Sequence, residues 1–281
     1  MLKQRIITAV VLLFILINVL IIDNHWPFML FVMILAVCAT WEWVRLTWQG
    51  PRFVIYLLPC LVALIAFLQS WFIQNDIYLF SRSFDALVVL CALIWLFGMP
   101  LILARGRATE PSHSSPLTLF APLAMLATWW VFVSLFVQRG ALYLLSLLIL
   151  VWVADLAAYF VGRHLGKNKL APTISPGKTR EGAIAGVIAV VIWLLVSSAW
   201  SGSFAQDLLD HWSWFGVIVW GVVLGSISVM GDLFESLLKR RAQVKDSSRL
   251  LPGHGGVYDR IDAVVVVLPI VFVLISVVYL Q

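Results

Sequence analysis

Residues 236–262 read SLLKRRAQVKDSSRLLPGHGGVYDRID and lie between two long apolar runs. The stretch holds six cations, Lys239, Arg240, Arg241, Lys245, Arg249 and Arg260, together with three carboxylates, Asp246, Asp259 and Asp262. A Pro-Gly-His-Gly-Gly turn runs from Pro252 to Gly256. Flanked on both sides by runs of bilayer-spanning length, such a segment reads as a polar loop tethered between two membrane helices. A chain this apolar concentrates polar chemistry where it is used, so the loop is also the first candidate for a site.

The rest of the composition agrees. Of 281 residues, 62% are hydrophobic and 12% are charged, against about 25% charged in ordinary soluble domains. Mean hydropathy is +1.01. A soluble domain is excluded, and the length suits one bundle of spans. Cys38, Cys60 and Cys91 all sit in apolar runs at no metal-ligand spacing, so they read as packing residues and imply no disulfide framework. The expected surroundings are a lipid bilayer, with no nucleic-acid partner. At the start, Lys3 and Arg5 precede an apolar run as they would in a secretory signal. No small-x-small cleavage site precedes Asp23, and the run is longer than the usual signal core, so a retained first span is expected.

Apolar runs of about 20 residues, enough to cross a bilayer, recur nine times: near 6–22, 26–44, 53–73, 84–104, 117–137, 141–161, 182–200, 214–233 and 261–280. Backbone groups cannot stay unpaired in lipid, so these are helices and the fold class is an all-α polytopic membrane protein. Only Gln138-Arg139-Gly140 separates the fifth from the sixth. With a cytoplasmic N-terminus, 17 of the 19 Lys and Arg fall on the cytoplasmic side, leaving Arg82 and Arg139 outside. The positive-inside rule predicts such a division. It places the loops 163–181 and 235–260 in the cytoplasm. The linker-like stretch 105–115 suggests an N-terminal scaffold, 1–116 with four spans, and a catalytic region, 117–281 with five. Pro59, Pro100 and Pro122 mark kinks or helix ends.

Several polar residues within this frame could carry chemistry. Asp155 lies inside the sixth span, where a carboxylate costs about 2.5–3.5 kcal/mol on insertion scales. Tyr159, four residues on, shares its helix face, and Gly162 continues the stripe. An interhelical hydrogen bond would explain Asp155, and so would a ligand for a metal or phosphate; the insertion cost favours the ligand. Gly177-Lys178-Thr179 resembles the end of a P-loop, but position 172 is Pro172 rather than glycine and no strand is expected before it. What remains is a cytoplasmic turn before a helix, with Ser175, Lys178 and Thr179 close together. It suits either an anion at a helix start or plain punctuation of a basic loop.

The eighth span ends in Gly231-Asp232-Leu233-Phe234-Glu235-Ser236, and the ninth begins Asp259-Arg260-Ile261-Asp262. Carboxylates one turn apart at adjoining helix ends suit Mg²⁺, which takes one or two carboxylates plus substrate phosphates. Helix capping would explain one aspartate, but not four acids beside a basic loop. The glycines around His254 permit positive φ and would leave amides free as an anion-binding nest.

These residues carry a resemblance. Ser236-x-Leu238-Lys239-Arg240, four residues, Lys245-Asp246, then Pro252-x-His254-Gly255-Gly256-Val257-x-Asp259-Arg260-Ile261-Asp262 resembles the signature of the phosphatidate cytidylyltransferase (CDP-diacylglycerol synthase) family. Asp155 with Ala158, Tyr159 and Gly162, the run from Ser175 to Gly182, and Gly231-Asp232-x-x-Glu235-Ser236 resemble further family elements in the same order. The N-terminal half is similar only in its apolar spans and in one acid, Glu42, near the end of the second. The resemblance implies the reaction CTP + phosphatidic acid → CDP-diacylglycerol + pyrophosphate at the cytoplasmic membrane surface; size and charge asymmetry point to a bacterial inner membrane, with an organellar one as the alternative. It implies Mg²⁺, with a monovalent ion such as K⁺ beside it, and a homodimer. Asp232 and Asp259 would be the principal metal ligands, supported by Asp262 or Asp155. Lys239, Lys245, Asp246 and His254 would join them in the reaction. Ser175, Lys178, Thr179, Glu181, Ser236, Arg240, Gly255, Gly256, Arg260 and Tyr159 would meet the substrates.

Two rival readings differ in what they release or move. A CTP-dependent polyprenol or dolichol kinase would release CDP rather than pyrophosphate. An ion-coupled transporter would place its acids near the midplane, often in paired halves, whereas here they gather at one rim and no repeat is visible. A CDP-alcohol phosphotransferase is disfavoured because its Asp-Gly-x-x-Ala-Arg pattern is absent.

Overall fold

The computed structural model describes residues 2–22, 24–75, 77, 80–106 and 108–278. Helices dominate: α1 (Leu2–Ile21), α2 (His25–Thr47), α3 (Phe53–Gln74), α4 (Ser81–Leu93), α5 (Met99–Arg105), α6 (Ser115–Arg139), α7 (Ala141–Leu165), α8 (Arg180–Ser197), α9 (Phe204–Arg241) and α10 (Tyr258–Val278). Among the described residues, seven helical stretches are long and apolar enough to cross a membrane. They coincide with the second to eighth expected spans. The first falls on α1, whose described apolar part is the shorter Ile7–Ile21, and the ninth on α10. Positions 279 and 280 of that ninth span, and Arg107 in the charge division, lie outside the described residues. Large apolar side chains such as Phe14, Phe97 and Phe215 are exposed, as befits an integral membrane protein whose outer surface meets lipid.

Local chemistry sets the helix ends. Asn24 accepts from the amide of Trp26 at 2.8 Å and starts α2, which closes with Arg45 in its last turn, where a cation favours the helix dipole. Gly140, at φ 83°, makes the break between α6 and α7, a conformation that disfavours residues with a Cβ. Pro59 and Pro122 lie inside α3 and α6. Pro100 sits in the first turn of α5, directly after a π-helical turn, Ile94–Gly98, that joins it to α4. The long α9 is broken at Ser213, at φ 59°, so its apolar part begins where the eighth span was expected.

The loop 163–181 departs from the sequence reading. Instead of a bare turn it forms an antiparallel hairpin, β1 (Lys169–Ala171) and β2 (Ser175–Thr179), with Lys169 opposite Thr179 and Ala171 opposite Ser175. Strands this short, one of them Ser-Pro-Gly-Lys-Thr, show no alternation of apolar and polar residues for a reader to detect.

By internal contacts the chain divides into two compact units. One comprises Met1–Cys91, Thr109–Val133 and Leu238–Ile261; the other comprises Ala92–Ala108, Ser134–Leu237 and Asp262–Gln281. In the first unit Trp43 packs edge-on against Phe120 and stacks on Tyr258, ring centroids 5.1 Å apart at 24°. Thr118 donates to the carbonyl of Thr47 at 3.0 Å. In the second unit α7 and α8 pack backbone to backbone: a Cβ on Gly182 would come within 2.7 Å of the Ala158 carbonyl, and one on Gly186 within 2.9 Å of that of Ala154.

Candidate active site

In the second unit the hairpin is anchored by Ile174, which is buried with Leu233 and Leu237 of α9 and packs against Ile102 and Leu103. That anchor carries Lys178 to α9, where its Nζ lies 2.5 Å from Asp232 Oδ2. Glu181 ties down the base of the hairpin, accepting from the side-chain amide of Asn168 at 2.7 Å and from the backbone amides of Lys167 and Asn168 at 3.2 Å. Thr179 is buried and caps α8, its hydroxyl accepting from Gly182 N at 3.2 Å. Both residues, expected against substrate, therefore have structural partners that fix where Lys178 sits.

Asp232 and Glu235 project from α9 and Asp262 from the first turns of α10. One carboxylate oxygen from each lies within 4.8 Å of the others. Gly231 makes this approach possible: a Cβ there would come within 2.9 Å of Ala263 Cα and 3.0 Å of the Asp262 carbonyl. Glu235 and Asp262 are buried. Asp262 feels the charges of Asp232, Asp155 and Lys178. A cavity of about 470 Å³ is lined by Asp155, Tyr159, Ser175, Lys178, Thr179 and Asp232. The structure thus brings together residues that the sequence offered on four separate segments.

Three carboxylates face one another here, with Lys178 beside Asp232. All the donors are oxygen, the preference of hard divalent cations, and octahedral Mg²⁺ at 2.0–2.1 Å spaces its ligand oxygens up to about 4.2 Å apart. The cluster fits such an ion with small side-chain movements.

The first unit holds the rest of the signature, and there the acids have donors. Asp259, 5% exposed, is paired with Lys239 Nζ at 2.8 Å. Its other oxygen accepts from Gly256 N at 2.7 Å and Ser247 N at 3.0 Å. This corrects the reading of the glycine turn as an open nest, because the Gly256 amide already serves an internal carboxylate. Gly255 is needed for its φ of 87° and because a Cβ would lie 2.7 Å from Asp259 Oδ2. His254 sits in the turn, its amide donating to Leu251 O and its carbonyl accepting from Arg260 Nη2 at 2.8 Å. Lys245 and Asp246 line a cavity of about 710 Å³ with Arg45, Trp41 and Arg249. Arg240 is exposed and Ser236 half-buried on α9. Asp259, expected as a principal metal ligand with Asp232, is surrounded by donors, and Glu235 stands beside Asp232 and Asp262.

Ser247 and Ser248 carried no weight in the sequence reading, and Glu42 entered it only through the family resemblance. Glu42 lies on α2 and is fully buried. Its only signal in the sequence is an acid inside an apolar span, the feature that singled out Asp155.

Helical spans, a partly buried acidic cluster and a hairpin lysine make a candidate site, and comparison with known proteins gives the class of the chain. The chain matches the Cytidylyltransferase family over residues 3–278 and belongs to it. It is 32% identical over 283 residues to the phosphatidate cytidylyltransferase of Haemophilus influenzae, covering 96% of each chain. The protein of that name from Pseudomonas aeruginosa is 33% identical over 274 residues, 96% of this chain and 95% of the relative. The one from Brucella suis is 45% identical over 126 residues, 45% of this chain and 44% of the relative.

Proposed function

We propose that this protein is a phosphatidate cytidylyltransferase, converting CTP and phosphatidic acid to CDP-diacylglycerol and pyrophosphate. The observation that carries the reading is the convergence of Asp232, Glu235, Asp262 and Lys178 in a chain similar to enzymes of that name over nearly its whole length. In the reaction a phosphate oxygen of phosphatidic acid attacks the α-phosphorus of CTP. The bond from that phosphorus to the bridging oxygen of the β-phosphate breaks, and pyrophosphate leaves with the electron pair. The nucleophile is already anionic at neutral pH, so positioning and charge compensation dominate the barrier.

Asp232, Glu235 and Asp262 are the residues proposed to hold Mg²⁺, with Asp155 in support. When bound, the ion supplies Lewis-acid polarisation of a phosphate oxygen. Lys178 compensates phosphate charge at the cavity lined by Asp155 and Asp232. Lys239, held by Asp259, keeps the signature loop in shape, and Lys245 and Arg249 add positive charge to that loop. The apolar, lipid-exposed helices leave acyl chains in the bilayer while the headgroup reaches the site. The remaining elements of the proposal are a monovalent ion such as K⁺ beside Mg²⁺, a homodimer, and a bacterial inner membrane with the site facing the cytoplasm. The lopsided division of Lys and Arg supports that orientation. The kinase and transporter readings gain no support from the comparisons.

The test is purified protein in lipid nanodiscs with CTP, phosphatidic acid and Mg²⁺. Stoichiometric pyrophosphate and a cytidine label in the organic phase are expected. Release of CDP with phosphorylated lipid, or no turnover at all, overturns the proposal.

A further inference from the structure

We infer that Glu42, on the second helix, is the positioning residue that sets the conformation of the 245–258 loop, an inference whose kinetic consequence rests on the proposed reaction. Each oxygen of its buried carboxylate takes two donors. Oε1 accepts from Ser248 Oγ at 2.5 Å and Val257 N at 2.9 Å. Oε2 accepts from Ser247 Oγ at 2.9 Å and Tyr258 N at 2.6 Å. Val257 immediately precedes α10 and Tyr258 opens it, where the first amides have no carbonyl partner within the helix. A carboxylate at this end is doubly favoured, by charge-assisted hydrogen bonds and by the helix dipole. A local Ser or Asp ordinarily does this; here the acceptor comes from 215 and 216 positions away in the chain.

A second observation points the same way. A Cβ on Gly256 would fall on Ser247 Oγ and within 2.6 Å of both Glu42 oxygens. This glycine of the signature is therefore required by a carboxylate outside the signature. Trp43, next to Glu42, stacks on Tyr258 and fixes the same junction. Ser247 also lies 3.1 Å from Asp259 Oδ2, so the two acids share one hydroxyl. Lys245, Asp246 and Arg249 flank the two serines and line one cavity with Arg45 from the last turn of α2. Moving the serines moves those cations. CTP carries more negative charge than phosphatidic acid, so it is the substrate whose binding responds.

Full-length protein with Glu42→Gln, Ser248→Ala and both changes tests this. Gln keeps the reach of Glu but puts an NH₂ where an oxygen faced a backbone N–H. Glu42→Gln is expected to raise KM for CTP at least tenfold, with KM for phosphatidic acid within twofold. Ser248→Ala alone should raise KM for CTP severalfold yet add less than twofold in the Glu42→Gln background, because the two residues share one network. Amide hydrogen exchange over 246–258 should quicken at least tenfold in Glu42→Gln, with α7 and α8 unchanged. Unchanged exchange in that segment, or parallel changes in both KM values and in every helix, overturns the inference. If Glu42→Gln does not accumulate in membranes, Ser247→Ala with Ser248→Ala removes two of the four bonds and is read by the same measurements. If the wild-type chain makes no CDP-diacylglycerol, the proposed reaction falls while the exchange result still decides the role of Glu42.

Discussion

Carboxylates have different surroundings in the two units. Asp232, Glu235 and Asp262 face one another with Lys178 as the cation beside them. Glu42 and Asp259 face hydroxyls, backbone amides and Lys239. An acid ringed by donors is satisfied within the protein and acts as a strut. Acids that face one another offer oxygen ligands of the kind a divalent ion takes. The residue type is the same, and the neighbours decide between binding and building.

The sharpest way to break this comparison is a Mg²⁺ titration of turnover. Asp232→Asn and Asp262→Asn are each expected to lower turnover by about a hundredfold or more, since even groups supporting a metal ligand are worth 10–100-fold, and to move the Mg²⁺ midpoint upward. Asp259→Asn is expected to lower turnover too, through Lys239 and the loop, but with the midpoint unmoved. A shifted midpoint for Asp259→Asn would place it among the ion's ligands and erase the contrast.

A smaller effect probes the strut directly. Gly256→Ala forces a methyl onto Ser247 and Glu42, and overpacking of this kind typically costs about 1–3 kcal/mol. A lower thermal midpoint in detergent is expected; an unchanged one would mean that the carboxylate is not held tightly there. The smallest effect is expected from Thr8→Ala. Thr8 gives one hydrogen bond to the Pro252 carbonyl at 2.8 Å, at an exposed position. Its loss should stay within about 0.5 kcal/mol, read as an unchanged midpoint. A large loss would mean that the turn depends on α1 as well as on its carboxylates.

Much of the fold was legible because lipid leaves the backbone few choices. Apolar runs of bilayer length must be helices, and Gln138-Arg139-Gly140 marked a break that Gly140 makes. The hairpin at Lys169–Ala171 and Ser175–Thr179 was not legible, since its strands are fixed by pairing and by the burial of Ile174 rather than by pattern. Within the site, Asp155, Asp232 and Asp262 stood out as acids in or beside apolar helices. The separate surroundings of Asp259 and Asp262 did not, because they lie one turn apart on α10 and spacing alone made them a pair.

The sequence by itself determined a helical membrane protein, its family signature and the residue types of its chemistry, because hydropathy and local spacing are written along the chain. Only the tertiary structure decided which acids meet one another and which meet donors. Glu42 reaches the 247–258 loop from more than 200 residues away, and Lys178 reaches Asp232 through a packed hairpin. Contacts of that range arise when helices pack and backbone amides at their ends seek acceptors, and no local pattern records which acceptor they find.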